Sequence, residues 1–302
     1  MKILFLSHYF PPEVNAPASR TSEHCREWVR AGHDVTVVTC APNHPRGEVY
    51  SGYRNRCFAR DELDGIKVLR LWTYLSANEG FARRTLNYIS FMLACMIAIP
   101  WLPRTDVVIS TSPQFFNGLA GYFVSRLKRA PWLLEIRDLW PESILAVGAV
   151  KNRAIIAVLQ WLESFAYDKA DHIVPVTDAF ARYMIDKGVP EAKITVIKNG
   201  VDTRLFNRDI DGQSTRDRHA LGQRVVAAYF GTHGMAHHLE TILEAAEQLR
   251  ERTDVVFLLV GDGAERDRLS LERQRRSLDN VIMLGQQAKA EMPGLWAAAD
   301  IS

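Results

Sequence analysis

The sequence predicts an α/β protein made of two doubly wound parallel-sheet units, the second of them incomplete. Three observations lead there. Short apolar runs bounded by turn residues alternate with helical-period segments along the whole chain, which is the pattern of successive βαβ units. Around Asn199 to Arg224 that alternation gives way to polar, turn-rich residues with few apolar anchors, which reads as a linker. A second βαβ series then starts, and it holds only three complete strands before Ser302, fewer than a covered parallel sheet usually has.

Taken in order, the strand candidates of the first unit are Lys2–Ser7, Asp34–Thr39, Ile66–Leu71, Val107–Thr111, Trp132–Ile136, His172–Val176 and Ile194–Ile197. Helical segments cover about Ser19–Arg30, Phe115–Arg129, Arg153–Lys169 and Ala179–Lys187, with Gly32 and Gly188 placed as C-terminal caps. In the second unit the strands are Val225–Phe230, Val255–Val260 and Val281–Leu284, with helices over Leu239–Arg252 and Ala264–Ser277 and a short one ending at Ala299. The domains are therefore expected at 1–205 and 206–302, and the end at Asp300-Ile301-Ser302, a residue or so into another strand, suggests a fragment.

Composition bounds the function. A chain of 302 residues, 47% hydrophobic, can bury two cores. A formal net charge of +2 implies no broad basic surface for nucleic acid. Cys25, Cys40, Cys57 and Cys95 have no metal-ligand spacing, and MKILFLSHYF reads as a first strand, not a signal peptide, so a reducing cytoplasm is the expected location.

The segment Phe81–Pro103 stands apart. It begins FARRT and continues almost without polar residues from Ile89 to Trp101, too short a run to span a bilayer. A helix over Arg83–Trp101 lying on an anionic membrane surface fits this pattern. A helix buried against the sheet fits it as well.

In open parallel sheets, ligands collect beyond the carboxyl ends of the strands, where helix N-termini offer free N–H groups. After the first strand, SHYFPPEVNAPASR places small residues at Asn15 and Ala16 before a helix, and Arg20 in its first turn as a cation for a ligand or as a solvated side chain. After the fifth strand, EIRDLWPES brings Arg137, Asp138 and Glu142 around Trp140 and Pro141. There Asp138 suits proton transfer or a sugar hydroxyl, Arg137 a phosphate, and Trp140 with Pro141 the face of a sugar ring. The structural alternative has Asp138 capping the turn and Arg137 paired with Glu142.

In the second unit, Gly231, Thr232, His233 and Gly234 follow a strand and precede a helix, the outline of a diphosphate site, with His233, His237 and His238 as possible phosphate donors, helix-start caps or metal ligands. The lack of a carboxylate at zinc-ligand spacing disfavours the metal. Gly261 and Gly263 again place glycines at a strand end.

Ordered along the chain, KILFLSHYFPPEVNAPASR, GHDVTVVT, EIRDLWPES, VIKNGVDTRLF, YFGTHGMAHHLETILEAAEQL and FLLVGDGAER resemble the family-4 retaining glycosyltransferases of the GT-B architecture over the whole chain. DLWPES with GTHGMAHHLET is similar to a bacterial subgroup that adds sugars, often aminosugars, to lipid-linked precursors of O-antigen, capsule or exopolysaccharide.

The resemblance implies two facing Rossmann-like domains, an acceptor side in the first and a nucleotide-sugar site in the second. It also implies a nucleotide-diphosphate sugar donor, a lipid-linked acceptor, retention at the anomeric carbon, no metal or other cofactor, and an enzyme in the cytoplasm or on the inner face of the plasma membrane. Asp138, Arg137 and Glu142 become the expected catalytic residues. Gly231, Thr232, His233, Gly234, His237, Gly261 and Gly263 become the donor-binding set, and Asn15, Ala16 and Arg20 the acceptor-side loop.

Departures accompany it. Asn15-Ala16 stand where many relatives have two glycines, and Arg137 where a histidine is usual. Thr232 and His237 fall near the usual diphosphate-gripping cations, and the paired-glutamate motif would begin after Ser302. Two rivals follow: a nucleotide-sugar epimerase of the same architecture, and a catalytically silent fragment.

Overall fold

The computed structural model describes the chain apart from residues 45, 77–80, 113–114, 147–149 and 151, and apart from the side chains of 81, 144, 146 and 236. It divides into two compact units, Met1–Asn199 and Gly200–Ser302, a division a few residues before the expected one.

Unit 1 runs β1 (Lys2–Leu6), α1 (Ala16–Arg30), β2 (Asp34–Cys40), β3 (Phe58–Leu63), β4 (Ile66–Leu71), α2 (Phe81–Ala98), β5 (Val107–Thr111), α3 (Phe115–Lys128), β6 (Trp132–Ile136), α4 (Glu142–Ala146), α5 (Arg153–Lys169), β7 (His172–Pro175) and α6 (Asp178–Asp186). Its seven strands are ordered β3-β4-β2-β1-β5-β6-β7 and are parallel except β3. The inner strands are largely apolar on both faces, as a sheet covered on both sides requires. Phe5, Val35, Val37, Ile66 and Ile109 pack with Phe10 and Trp28 on the α1 side. Leu4, Leu6, Val38, Val108, Trp132 and Leu134 pack with α2 and α3 on the other.

Two elements differ from the sequence expectation. β3 is an edge strand joined to β4 by a hairpin whose two-residue turn, Asp64 (φ 53°) and Gly65 (φ 77°), is the Asp-Gly pair favoured in such turns. Its charged sequence FARDEL hides it, because an edge strand needs no continuous apolar run. The expected strand Ile194–Ile197 is reduced to a single bridge from Ile194 to Ile173. α2 is packed on the sheet along one side, where Tyr88, Phe91, Cys95 and Ala98 are buried, while Leu86, Leu93 and Ile97 are exposed. Among the described residues no helix is long and apolar enough to cross a membrane.

Unit 2 contains α7 (Gln213–Arg218), β8 (Val225–Phe230), α8 (Glu240–Gln248), β9 (Val255–Val260), α9 (Arg266–Arg275), β10 (Val281–Leu284) and α10 (Met292–Ala298). Its parallel sheet is ordered β10-β9-β8. The stretch expected as a linker thus carries a helix, and Leu221 within it is fully buried beside Val226, Leu258 and Leu295. Leu239, Leu243 and Leu269 cover the other face.

Candidate active site

The loop after β1 is fixed from within. The buried Glu13 carboxylate accepts the backbone N–H groups of Phe10 (3.3 Å), Asn43 (2.9 Å) and His44 (2.9 Å), tying the loop to the end of β2. Asn15 then caps α1, its Oδ1 accepting the N–H of Ala18 at 2.9 Å. Ala16 lies exposed at the helix start. At the end of β1, His8 is buried edge-on against Tyr9, Tyr88 and Phe91. Burial lowers its pKa to about 3, so it stays neutral.

Arg20 does not present a free cation to a ligand, nor is it a solvated side chain. It is buried, and its Nε and Nη2 donate to Glu135 Oε1 at 3.0 and 2.8 Å. Its Nη1 donates to Asn199 Oδ1 at 2.7 Å, and Thr111 Oγ1 donates to the other Glu135 oxygen at 2.6 Å. Arg20 and Glu135 therefore bolt α1 to β6 and to the segment beyond β7. Glu135, at an inward position of an apolar strand, is a partner the sequence reading missed; a lone carboxylate inside WLLEI was the available signal, because such a charge needs a partner.

Beyond β6 the chain turns over Ser112, whose Oγ accepts the N–H of Arg137 at 2.6 Å and of Asp138 at 3.3 Å. Asp138 is half-buried, with Oδ2 accepting from Ser143 Oγ at 3.1 Å. Burial pushes its pKa up, against the hydrogen bonds from Ser143, Leu139 and Trp140. Arg137 reaches Ala16 O through Nη2 at 3.4 Å, while its Nε and Nη1 are shielded from solvent without an acceptor among the described residues. Burial lowers the Arg137 pKa, which means an anion would be welcome there.

The expected neighbours of this pair are elsewhere. Glu142 is not the partner of Arg137: its carboxylate takes Lys187 Nζ at 3.1 Å, and the same ammonium meets Glu163 at 2.6 Å. Trp140 forms no open wall, because it is buried with Val150 and Leu159 and stacked on Phe115 at 6.3 Å. The ring is thus buried against α5 and Phe115 of α3, not against α4, the helix it precedes.

In unit 2 the loops after β8 and β9 are pressed together backbone to backbone. Gly261 has φ 148° and a Cβ there would stand 1.8 Å from Gly231 O; Gly263 has φ 159° and a Cβ would stand 2.5 Å from His233 O. Close loop packing accounts for both glycines. His233 is fully buried, its N–H donating to Asp262 O at 2.9 Å and its carbonyl accepting from Glu265 at 2.9 Å. Its pKa is lowered by burial and then by Arg266, so it is a neutral post supporting the loop, and its ring is not offered to solvent.

Of the expected donor set, Gly231, Thr232 and His237 are exposed; so are Met235 and His238 in the same stretch before α8. Glu240 in the first turn of α8, an unwelcome charge beside a phosphate, is paired with Arg268. Arg266 was missed by the sequence reading; it opens α9, its Nε is shielded without an acceptor, and its Nη2 lies 3.5 Å from where a Cβ would stand on Gly285. The signal was the first cation after the GDG turn.

Residues 15–200 match the family described as "Glycosyl transferase 4-like domain" and residues 213–302 match "Glycosyl transferases group 1". The chain is 25% identical over 311 residues to the "Putative colanic acid biosynthesis glycosyl transferase WcaI" of Escherichia coli (strain K12), covering 99% of this chain and 75% of that protein. It is 27% identical over 175 residues to the "Probable glycosyltransferase WbjE" of Pseudomonas aeruginosa, covering 57% of this chain and 43% of that protein.

Among solved structures, WaaG, a glycosyltransferase involved in lipopolysaccharide biosynthesis, has a TM-score of 0.69 at 13% identity, over 99% of this chain and 73% of its own. Anabaena Alr3699/HepE in complex with UDP and glucose has a TM-score of 0.68 at 19% identity, over 99% of this chain and 72% of its own. These structural likenesses establish the GT-B fold class, with two Rossmann-like α/β units. The chain belongs to the glycosyltransferases, with a family-4-like first unit and a group 1 second unit.

Proposed function

We propose that the protein moves a sugar from a nucleotide-diphosphate donor to a lipid-linked glycan acceptor, with retention, during synthesis of a bacterial surface polysaccharide. The colanic acid role in the name of WcaI and the UDP bound to HepE support the pathway and the donor class. The observation that carries the chemical reading is the Arg137 guanidinium, with two shielded N–H groups that have no acceptor among the described residues, one residue from the half-buried Asp138 carboxyl.

Shielded donors of this kind are costly unless water or a ligand supplies oxygen atoms, and a phosphate does so with matching geometry. In the reaction proposed, the acceptor hydroxyl oxygen bonds to the anomeric carbon, the bond from that carbon to the diphosphate oxygen breaks, and the hydroxyl proton leaves on the departing phosphate. Asp138 orients the attacking or donor hydroxyl. Arg137 takes phosphate oxygens of a phosphate-bearing substrate on unit 1; in unit 2 the exposed Gly231–Thr232 backbone, His237 and the start of α8 offset the charge of the donor diphosphate, so the transfer needs no metal ion. Asn15 and Ala16 border the acceptor side. The work takes place in the cytoplasm, on the inner face of the plasma membrane.

The test supplies labelled nucleotide-diphosphate sugars to the protein expressed from its full reading frame, with and without a lipid-linked saccharide fraction. Label entering the organic phase only when acceptor is present supports the reading. An epimerised nucleotide sugar formed equally well without acceptor would replace it with the epimerase, and no reaction with any donor would favour a silent binding protein.

A further inference from the structure

Among the described residues, unit 1 presents one broad helical face with large apolar side chains exposed. α3 packs between α2 and α5 on one side of the sheet. Near that surface Tyr122 of α3 meets Phe165 of α5 at 5.1 Å, Phe165 stacks on Trp161 of the same helix at 5.8 Å, and Lys128 Nζ at the end of α3 donates to Leu102 O, just beyond α2. Across it stand Leu93 and Ile97 (71% exposed) from α2, Trp101 (65%) just beyond, Leu127 (69%) from α3, and Val158 and Trp161 (64%) from α5. Singly exposed apolar residues need no explanation, but this many large ones on three adjoining helices do.

Charge is arranged around this face and kept out of its middle. From Leu86 to Trp101 the sequence has no charged residue, and from Ala154 to Phe165 the one charge is Glu163, which is buried and paired with Lys187. Exposed cations lie at the helix ends and beside them: Arg83, Arg104, Arg126, Arg129 and Arg153. Asp168, the acidic residue at the end of α5, is already paired with Lys169.

We infer that the α2–α3–α5 face docks on an anionic lipid bilayer. The apolar side chains enter the boundary between headgroups and acyl chains, Trp101 and Trp161 sit at the depth tryptophan favours, and the arginines meet the lipid phosphates. The rim of cations is what selects this occupant. A second copy related by two-fold symmetry would bring the same basic rim against itself. The sequence pointed to α2 alone; the structure adds α3 and α5, and so fixes which side of the sheet faces the membrane. The inference deepens the membrane placement proposed above but does not depend on the acceptor being a lipid.

Cosedimentation with vesicles tests it. The protein is expected to bind vesicles of phosphatidylglycerol and phosphatidylcholine, to bind phosphatidylcholine alone much less, and to lose affinity as salt rises. Ile97→Glu on α2 and Trp161→Glu on α5 should each weaken binding at least ~10-fold, since each puts a charge where an apolar side chain enters the bilayer. Both positions are exposed, so the circular dichroism melting curves should stay unchanged and report intact folding.

Failure of the unsubstituted protein to bind anionic vesicles overturns the inference, as does binding indifferent to both substitutions. A lipid-free dimer that Ile97→Glu disperses would overturn it in favour of a second copy. Activity on a water-soluble acceptor with vesicle binding intact would leave it standing while removing the lipid-linked acceptor.

Discussion

Replacing Arg20 with methionine should destabilise unit 1 severely. The side chains of Arg20 and Glu135 are 7% and 5% exposed, and the guanidinium serves Glu135 twice and Asn199 once. Arg20→Met leaves the Glu135 carboxylate with the Thr111 hydroxyl as its remaining partner among the hydrogen bonds described. A buried carboxylate stripped of its counter-ion must stay unpaired or take up a proton, and breaking such pairs costs about 3–5 kcal/mol at neutral pH. With a denaturant slope of about 2–3 kcal/mol per molar, the urea midpoint of unit 1 should fall by roughly 1–2.5 M. Near-UV circular dichroism reads it through Trp132, packed in the same sheet. The double variant Arg20→Met/Glu135→Gln should recover more than half of the loss, because the uncompensated charge is gone. A single-variant loss below about 1 kcal/mol, the range of an exposed pair, would refute the buried-bolt reading.

Other outcomes follow from the same geometry. Asp138→Asn should lower turnover at least ~10-fold with folding intact, in the range by which a positioned acid–base or orienting group assists; near-normal rates would remove Asp138 from the site. Arg137→Gln should raise the KM for the phosphate-bearing substrate, and an unchanged KM and kcat would show that its shielded N–H groups meet no ligand. Gly261→Ala should destabilise unit 2 by about 2–3 kcal/mol, since the new Cβ would fall 1.8 Å from Gly231 O; a melting temperature within a degree of the parent would contradict the loop packing.

His8, held neutral with a pKa of about 3 by burial, makes stability depend on pH in a definite direction. Its folded pKa lies below its unfolded value, so its contribution is complete above about pH 6.5 and is lost on acidification, by up to about 1.4 kcal/mol per pH unit between pH 6.5 and 3. His8→Phe should flatten that slope, and equal slopes in the two proteins would exclude His8 as its source.

Much of this architecture was legible because parallel strands covered on both faces must be apolar throughout. VVIST, WLLEI, VVFLLV and VIML stand out for that reason, at the observed bounds. β3 was not legible by that signal, since an edge strand is charged, although the Asp64-Gly65 pair announced its hairpin. The site was readable as a location more than as a set of contacts. Strand ends drew attention to Arg137, Asp138 and Gly231, yet spacing does not say where a side chain goes. Arg20 turned inward to Glu135, Trp140 to Leu159, and Glu142 to Lys187, each toward a residue at least 19 positions away in sequence. Gly261 and Gly263 looked like ligand cradles because a glycine needed for loop-to-loop packing and one needed for a phosphate are the same residue.

The claim most exposed to measurement is the stereochemistry of transfer. One- and two-dimensional NMR of the first-formed product, made from a donor of known anomeric configuration by the protein expressed from its full reading frame, reads it directly. Here the anomeric proton and carbon should show the donor's configuration preserved; an inverted product would contradict the same-face attack assigned to the Asp138 site.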